Sequence, residues 1–401
     1  MRVAMSAVVS GLEHWMTRGP EVCGLTSGAR IGLVSHPASV DRRARHALDL
    51  LLTERSRARP VRLFVAEHGL HGHEQDMERV RGATDSRSGL PVVSLYGSTV
   101  ESLRPRREDL AGLDAIVYDM QDVGSRYYTF VYTLSFIMEA AAGVGLPVVV
   151  LDRPNPLGGM KLEGPVLDPA LSSFVGRYPL PVRHGMTTAE LARLFNEAFE
   201  IGCDLRVVPM QGWRRSMHFD DTGLPWVPPS PNMPTTATAR VYPGGCLIEG
   251  TNLSEGRGTT TPFEMIGAPW LDGPALRAAL DRERPAGVVF RAASFRPMFH
   301  KHAGEGCRGL QVIVEDPESF RPFASYLLIV REVRRLAADA FRWRTEPYEF
   351  ESSRLAIDLL LGRSDLRPML ESGAPVDEME RLWTEDLERF RALRERFLIY
   401  R

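Results

Sequence analysis

"LDAIVYDMQDVGSRYYTFVYTLSFIMEAAAGVGLPVVVLDRPNP", residues 113–156, is the stretch whose reading decides the fold class. It opens on a β-branched apolar run ending in Asp119, crosses a polar loop with one glycine, and continues with helical apolar spacing over 128–145. It closes on a second apolar run that ends in Asp152, Arg153 and Asn155. Strands that are apolar along their whole length and alternate with helices belong to a mostly parallel sheet covered on both faces. The phrase recurs on either side. "RIGLVSHPASV" (30–40) leads into the helix-like "DRRARHALDLLLTE" (41–54), and "VRLFVAEHGLHG" (61–72) supplies another run. "MTTAELARLFNEAFEIG" (186–202) reads as a helix, with Thr187 and Glu190 at capping-box spacing and Gly202 at its end. The expected class is α/β.

Regularity is lost between Trp213 and Pro243, where prolines stand at 225, 228, 229, 231 and 234. Proline stiffens a chain and removes backbone donors, so this connection reads as a rigid linker or lid. Beyond it, "AGVVFRAASF" and "GLQVIVED" read as strands. "FRPFASYLLIVREVRRLAADAF" and "VDEMERLWTEDLERFRALRERFLIY" read as long amphipathic helices. The expected organisation is an α/β domain over 1–229 and a smaller α+β domain over 230–401, matching the two-domain prior for a chain of 401 residues.

Bulk composition excludes several classes. With 44% hydrophobic and 25% charged residues the chain is an ordinary globular protein. A formal net charge of -2 lacks the basic excess of a nucleic-acid binder, and the arginines from Arg42 to Arg62 mix with acids as a solvated face. Cys23, Cys203, Cys246 and Cys307 lie far apart without a C-x-x-C pair, so reduced structural cysteines are expected. The first nineteen residues are too polar for a signal peptide, and no run approaches the ~20 apolar residues of a membrane span. A cytoplasmic protein with no membrane partner is the expectation.

The early apolar runs each end in chemistry: Glu67 and His68 after "LFVA", Asp119, Gln121 and Asp122 after "AIVY", Asp152, Arg153 and Asn155 after "VVVL". In open parallel sheets ligands bind beyond the carboxyl ends of the strands, so these groups are candidates for one cleft. Asp119 and Asp122, beside Arg126, either pair with it or bind a ligand. Glu67, between Val65–Ala66 and His68–Gly69, suits a partly desolvated acid that keeps its proton. The histidines of "EHGLHGHEQD" (67–76) lack the helical H-E-x-x-H arrangement, so no metal is expected. "SEGRGTTTP" (254–262) departs from the phosphate-binding G-x-x-x-x-G-K-[ST] pattern and lacks its lysine. "LIEGTNLSEGRGTTTPFEMIG" (247–267) instead suits a neutral polar ligand with one carboxylate: Glu249, Asn252, Glu255 and the threonines for hydroxyl or amide groups, Arg257 for the acid. Trp213, Trp226, Trp270, Tyr127 and Tyr128 flank these segments, and flat rings suit the faces of a sugar.

Taken in order, "EHGLHG", "YDMQDVGSRYYTF", "VVLDRPNPLGG", "EGPVLD", "SFVGRYPLPVRHGMTTAELA", "LPWVPPSPNMPT", "YPGGCLIEGTNLSEGRGTTTPFEMIGAPW" and "FLIYR" resemble the NamZ-type (YbbC-like) exo-β-N-acetylmuramidases of peptidoglycan turnover. One departure is Ala66, where that family commonly has proline before Glu-His-Gly. The resemblance implies a Rossmann-like N-terminal domain, a smaller C-terminal domain and an active-site cleft between them. It also implies release of N-acetylmuramic acid from the non-reducing end of peptidoglycan-derived glycans without a cofactor, and it places the suspected catalytic glutamate at Glu67.

Breaking a glycosidic bond needs a proton at the leaving oxygen and negative charge near an oxocarbenium-like carbon. Glu67 is expected as general acid and Asp122 or Glu249 as second carboxylate, with Asp119 in reserve, unless the substrate's own acetamido group attacks. Tyr127, Asn155, Asn232 and Asp152 join His68, Asn252 and Glu255 as expected substrate contacts, and Arg257, with Arg126, is expected to pair the lactyl carboxylate. The alternatives are a non-catalytic amino-sugar-binding protein and a nucleotide- or phosphate-dependent transferase.

Overall fold

The computed structural model describes residues 8–67, 69 and 84–401. His68 and the histidine-rich run after it, candidates in the sequence, lie outside the described residues.

The first half begins with α1 (Gly11–Arg18), closed by a reciprocal Ser10–Glu13 capping box, then β1 (Ala29–Ser35), α2 (Ala47–Leu51), β2 (Ala58–Val65), β3 (Val92–Ser94), α3 (Arg107–Leu110) and β4 (Ala115–Asp119). It continues through α4 (Phe130–Ala142), β5 (Val148–Leu151), the antiparallel pair β6 (Glu163–Val166) and β7 (Pro181–Arg183), α5 (Thr188–Ala198) and β8 (Leu205–Val208). Six of these strands form one sheet in the order β3-β2-β1-β4-β5-β8, every pairing parallel. Strand order reverses between β1 and β4, where Ser35 lies opposite Asp119. The Rossmann-like expectation holds, and both residues of the expected Thr187–Glu190 capping box open α5.

The second half contains α6 (Thr236–Gly245), β9 (Met265–Ala268), α7 (Gly273–Glu283), β10 (Val288–Phe295), β11 (Cys307–Val314), α8 (Pro322–Leu336), α9 (Ala356–Leu361), α10 (Leu366–Ser372), α11 (Val376–Arg381) and α12 (Thr384–Arg394). Its three strands form an antiparallel sheet in the order β10-β11-β9, giving the smaller α+β part that was expected. One apolar core runs through both halves, from Val34, Phe64 and Tyr118 to Ile266, Leu310 and Leu327.

Three local expectations are overturned. The Pro-rich connection contains α6, capped where the Thr235 hydroxyl accepts from Thr238 N, with Pro243 confined to its last turns. Glycine there permits contact: a Cβ on Gly244 would stand 2.1 Å from the carbonyl oxygen of Pro322, so only a bare backbone lets α6 pack on α8. The helix-like "DRRARH" is a turn, because the Asp41 carboxylate takes the backbone N–H groups of Arg43 and Arg45 and Ala44 adopts φ 55°. The final long helix is broken into α11 and α12 at Trp383, whose ring is buried 5.7 Å from that of Phe323. All four cysteines are free. Among the described residues no helix is long and apolar enough to cross a membrane.

Candidate active site

Glu67 lies just past the end of β2 and is 6% exposed, with the Thr129 hydroxyl 3.5 Å from its Oε2. It forms part of a cavity whose other walls include Tyr127 and Tyr128 from the β4–α4 loop, Asn232 from the Pro-rich connection, and Tyr242 from α6. Glu249, Arg257, Phe263, Tyr348 and Glu349 also line it. Of the sequence candidates, then, Glu67, Tyr127, Asn232, Glu249 and Arg257 are brought together. The Tyr127 and Tyr128 rings are buried, and burial holds both phenols well above their ordinary range, so they stay protonated. The Tyr127 hydroxyl has no hydrogen-bond partner among the described residues. A buried polar atom of this kind calls for a partner from solvent or ligand.

The polar wall from the second half is tightly bonded. Glu249 accepts from the Arg257 guanidinium at Oε1 (2.8 Å) and from the Tyr348 hydroxyl at Oε2 (2.7 Å). Arg257 also approaches Glu255 at 3.3 Å and lies over the Phe263 ring at 5.2 Å. Glu255 is fully buried beside Lys301 Nζ at 2.9 Å, His300 Nδ1 at 3.1 Å and Arg257. Although burial opposes its charge, Lys301 leads the neighbours that hold its carboxyl well below the ordinary range. Glu255 is therefore an ionised anchor for the cations and not a wall of the cavity, contrary to the expectation that it grips substrate.

Several further candidates have structural work. Asp119 is held bidentate by Arg153, at 2.6 and 2.8 Å, instead of by the expected Arg126. Arg126, fully buried, donates to the carbonyls of Pro165 (2.9 Å), Leu180 (3.3 Å) and Leu360 (2.7 Å), which excludes it from the lactyl carboxylate. Asp152 accepts from the Thr187 hydroxyl (2.7 Å), Ala189 N (3.0 Å) and the Tyr400 hydroxyl (2.7 Å). Asn155 bridges Leu157 N and Met186 O, both at 2.9 Å. Asn252 uses both ends of its amide on Ala340 O and Arg342 N, each at 2.9 Å, and lines a surface groove with His300 and Trp343. The Thr259 hydroxyl closes its own turn on Gly256 O.

The crevice at the strand-order reversal is filled from within. His36, after β1, contacts Ser39 Oγ (3.1 Å) and the Gln121 backbone (N–H 3.1 Å, C=O 3.3 Å), while the Ser39 hydroxyl donates to the Asp119 carbonyl. Burial pushes His36 down to about 3, so a neutral imidazole joins the two strand ends. Asp122, also buried, accepts from Gly124 N at 2.6 Å and does not line the cavity. Desolvation pushes it up to about 7, and His184 Nε2 at 3.8 Å gives no ion pair, because burial holds that imidazole down at about 3. The carboxylates at these strand ends thus meet neighbouring side chains and backbone rather than an open cleft.

Backbone strain concentrates at the site. Among the described residues nine non-glycine positions have positive φ, and four of them, Phe263, His300, Glu349 and Phe350, line the cavity or contact residues that support it. Such conformations persist where the surroundings over-determine them, characteristically at functional sites. Tyr348 and Glu349 were not singled out from sequence, because "PYEFE" carries no spacing that marks a turn.

With this geometry in place, comparison with known proteins is decisive. The family descriptions "Exo-beta-N-acetylmuramidase NamZ, N-terminal" and "C-terminal" match residues 31–237 and 240–400. The chain belongs to the NamZ exo-β-N-acetylmuramidase family. The peptidoglycan β-N-acetylmuramidase NamZ of Bacillus subtilis (strain 168) is 44% identical over 373 residues, 93% of this chain and 87% of that one. Two crystal structures of DUF1343 family proteins from Bacteroides fragilis NCTC 9343 share the fold. One has TM-score 0.88 at 32% identity, covering 98% of this chain and 99% of the other. The second has TM-score 0.75 at 28% identity, covering 99% of each. Both NamZ segments wall the cavity: the N-terminal match holds Glu67, Tyr127 and Asn232, and the C-terminal match holds Tyr242, Glu249, Arg257 and Glu349.

The cavity holds about 40 Å³ of water-accessible space. A larger hollow of about 730 Å³ is lined by surface ion pairs such as Arg42–Glu13 and Arg45–Asp41 and contains, among the described residues, no unpartnered buried polar atom.

Proposed function

We propose that this chain is a glycoside hydrolase that removes N-acetylmuramic acid from the non-reducing end of peptidoglycan-derived glycans, with Glu67 as general acid. The observation that carries the assignment of the acid is the burial of Glu67 in a cavity walled by both NamZ segments. A proton donor at a glycosidic oxygen works best where water is excluded and the leaving group is held within reach. The activity itself is supported by the likeness to the Bacillus subtilis muramidase over nearly the whole chain.

Arg257 is the guanidinium we assign to the lactyl carboxylate, the group that distinguishes muramic acid from N-acetylglucosamine. It lines the cavity, and Glu249, Glu255 and the Phe263 ring fix its plane. A planar fork pre-oriented in this way suits bidentate recognition of a carboxylate.

The deciding experiment is incubation with a disaccharide bearing N-acetylmuramic acid at the non-reducing end, followed by NMR to read the first anomer released. Free N-acetylmuramic acid with no added nucleotide or metal is the expected product; a disaccharide bound but untouched rejects the hydrolase reading in favour of a sugar-binding protein, and one neither cleaved nor bound rejects both.

A further inference from the structure

We propose that Lys301 is a positioning residue for the reaction: its ammonium fixes the segment that carries Glu249 and Arg257 to the cavity and, through Glu255, sets the Arg257 guanidinium. The inference rests on the assignment of Arg257 to the lactyl carboxylate. Lys301 itself does not line the cavity.

The loop between β10 and β11, 296–306, grips one short stretch of chain with three consecutive residues. His300 Nδ1 lies 3.1 Å from Glu255 Oε1, and His302 Nε2 lies 2.8 Å from Asn252 O. Between them, Lys301 Nζ donates to the carbonyls of Ile248 (3.0 Å) and Leu253 (3.1 Å) and to Glu255 Oε2 (2.9 Å), with Glu249 O at 3.4 Å. On the far side of Arg257, Met298 N donates to Gly258 O at 3.0 Å, and a Cβ on Gly258 would stand 2.7 Å from Met298 N. His300 and His302 hold left-handed backbones, φ 68° and 57°. Two such residues flanking one lysine persist because these contacts over-determine them.

The residue type follows from what it meets. A helical turn ends in carbonyls that the turn itself does not fully satisfy, and a lysine nearby can take them. Here the turn is the 3₁₀ segment Cys246–Gly250, where Lys301 takes Ile248 O and approaches Glu249 O. A compact ammonium with three rotatable donors serves oxygens in several directions, which a planar guanidinium does not.

Two routes lead from this ammonium to the cavity. Along the backbone it meets the carbonyl of Glu249, whose carboxylate accepts from Arg257 and from Tyr348. Through side chains it takes Oε2 of Glu255, whose Oε1 lies 3.3 Å from Arg257 Nε. Loss of the ammonium therefore leaves Arg257 present but misaligned, and the defect should fall on the group that the guanidinium recognises.

The test compares wild type with Lys301→Met, with the double variant Lys301→Met/Glu255→Gln, and with Arg257→Lys. The double variant removes the ammonium and its carboxylate together, which spares the fold a stranded buried acid. Thermal midpoint, kcat and KM on the muramyl disaccharide, and affinities for N-acetylmuramic acid and for its lactyl amide are measured. In both Lys301 variants affinity for the acid should fall about tenfold or more, the scale of a charge-assisted hydrogen bond, while affinity for the amide stays within about threefold. KM should rise with the lost affinity and kcat stay within about threefold. A merely structural lysine would lower the midpoint and leave the folded fraction's preference for the acid unchanged; that result overturns the inference, as does an equal loss on acid and amide. Where Lys301→Met fails to fold, the double variant decides. Arg257→Lys separates the two readings. If it binds acid and amide as wild type does, the lactyl assignment fails and this inference with it, whereas a selective loss there without one in the Lys301 variants rejects this inference alone.

Discussion

The phenol of Tyr400 donates to Oδ2 of Asp152 at 2.7 Å, and its oxygen accepts from the backbone N–H of Met210 at 2.8 Å. The penultimate residue of the chain is thereby fastened to the end of β5, and its ring lies 5.2 Å from that of Trp213. The "DRPNP" acid, which reads from sequence as a ligand group, joins the C-terminal tail to the first half and to α5.

Removing that hydroxyl should loosen the fold without touching the chemistry. Tyr400→Phe leaves the Met210 donor and an Asp152 oxygen short of a partner, a loss of about 1–3 kcal/mol. Urea unfolding should show the midpoint falling while kcat of the folded fraction is unchanged. An unaltered midpoint would show that the tail contributes nothing through this contact.

Acidity of two buried carboxyls should make stability depend on pH in an unusual sense. Desolvation raises both Asp122 and Asp152 to about 7. The folded state then keeps protons that the unfolded chain has released, so their contribution is complete below about pH 4 and is lost as pH rises through 7. Asp122→Asn has nothing to ionise and can still accept from Gly124 N. Between pH 5 and 8 it should lose less unfolding free energy than wild type, by on the order of 1–3 kcal/mol. Identical pH slopes for the two proteins would remove Asp122 from this account.

Glu67→Gln retains shape and hydrogen-bonding capacity but cannot deliver a proton. Its kcat on a muramyl disaccharide should drop by about 10²–10⁴ with KM little changed. An aryl muramide with an acidic phenol leaving group, which needs less protonation, should suffer much less. Equal losses on the two substrates would point to a positional defect in place of lost acid catalysis.

Arg257 is best probed by Lys. Arg257→Ala would strip buried Glu249 of its cation, and breaking such a pair costs about 3–5 kcal/mol of stability, confusing the reading. Arg257→Lys keeps a charge and removes the planar fork. The expected loss in kcat/KM is about 1.5–3 kcal/mol for muramyl substrates and near zero for an N-acetylglucosaminyl analogue. Parallel losses on both sugars would take the lactyl group away from this residue.

Periodicity and punctuation were enough for the sheet. Apolar runs such as "AIVY" and "VVVL" become interior parallel strands because only complete burial between helices hides a strand apolar on both faces, and the Thr187–Glu190 cap follows from its local hydrogen bonds. Glu67 was legible as an acid after an apolar run. The resemblance, resting on motifs in order, led to the family that comparison then established.

Partnership was not legible, because a charged side chain's work depends on what the fold brings within about 3 Å of it. Asp119 and Arg126 stand seven residues apart, yet one meets Arg153 and the other three carbonyls, one of them from Leu360. Glu255 and Arg257 looked like equal sugar contacts until Lys301 and His300 were seen to claim the acid. Helix α6 is hidden in sequence by its proline and glycines and exists because α8 offers a surface that only a bare backbone can approach. The turn that presents Glu349 is stabilised by Tyr96 and Phe174, residues far away along the chain. Local sequence therefore determined which segments bury their backbones together; long-range packing alone decided which polar groups were left facing the cavity.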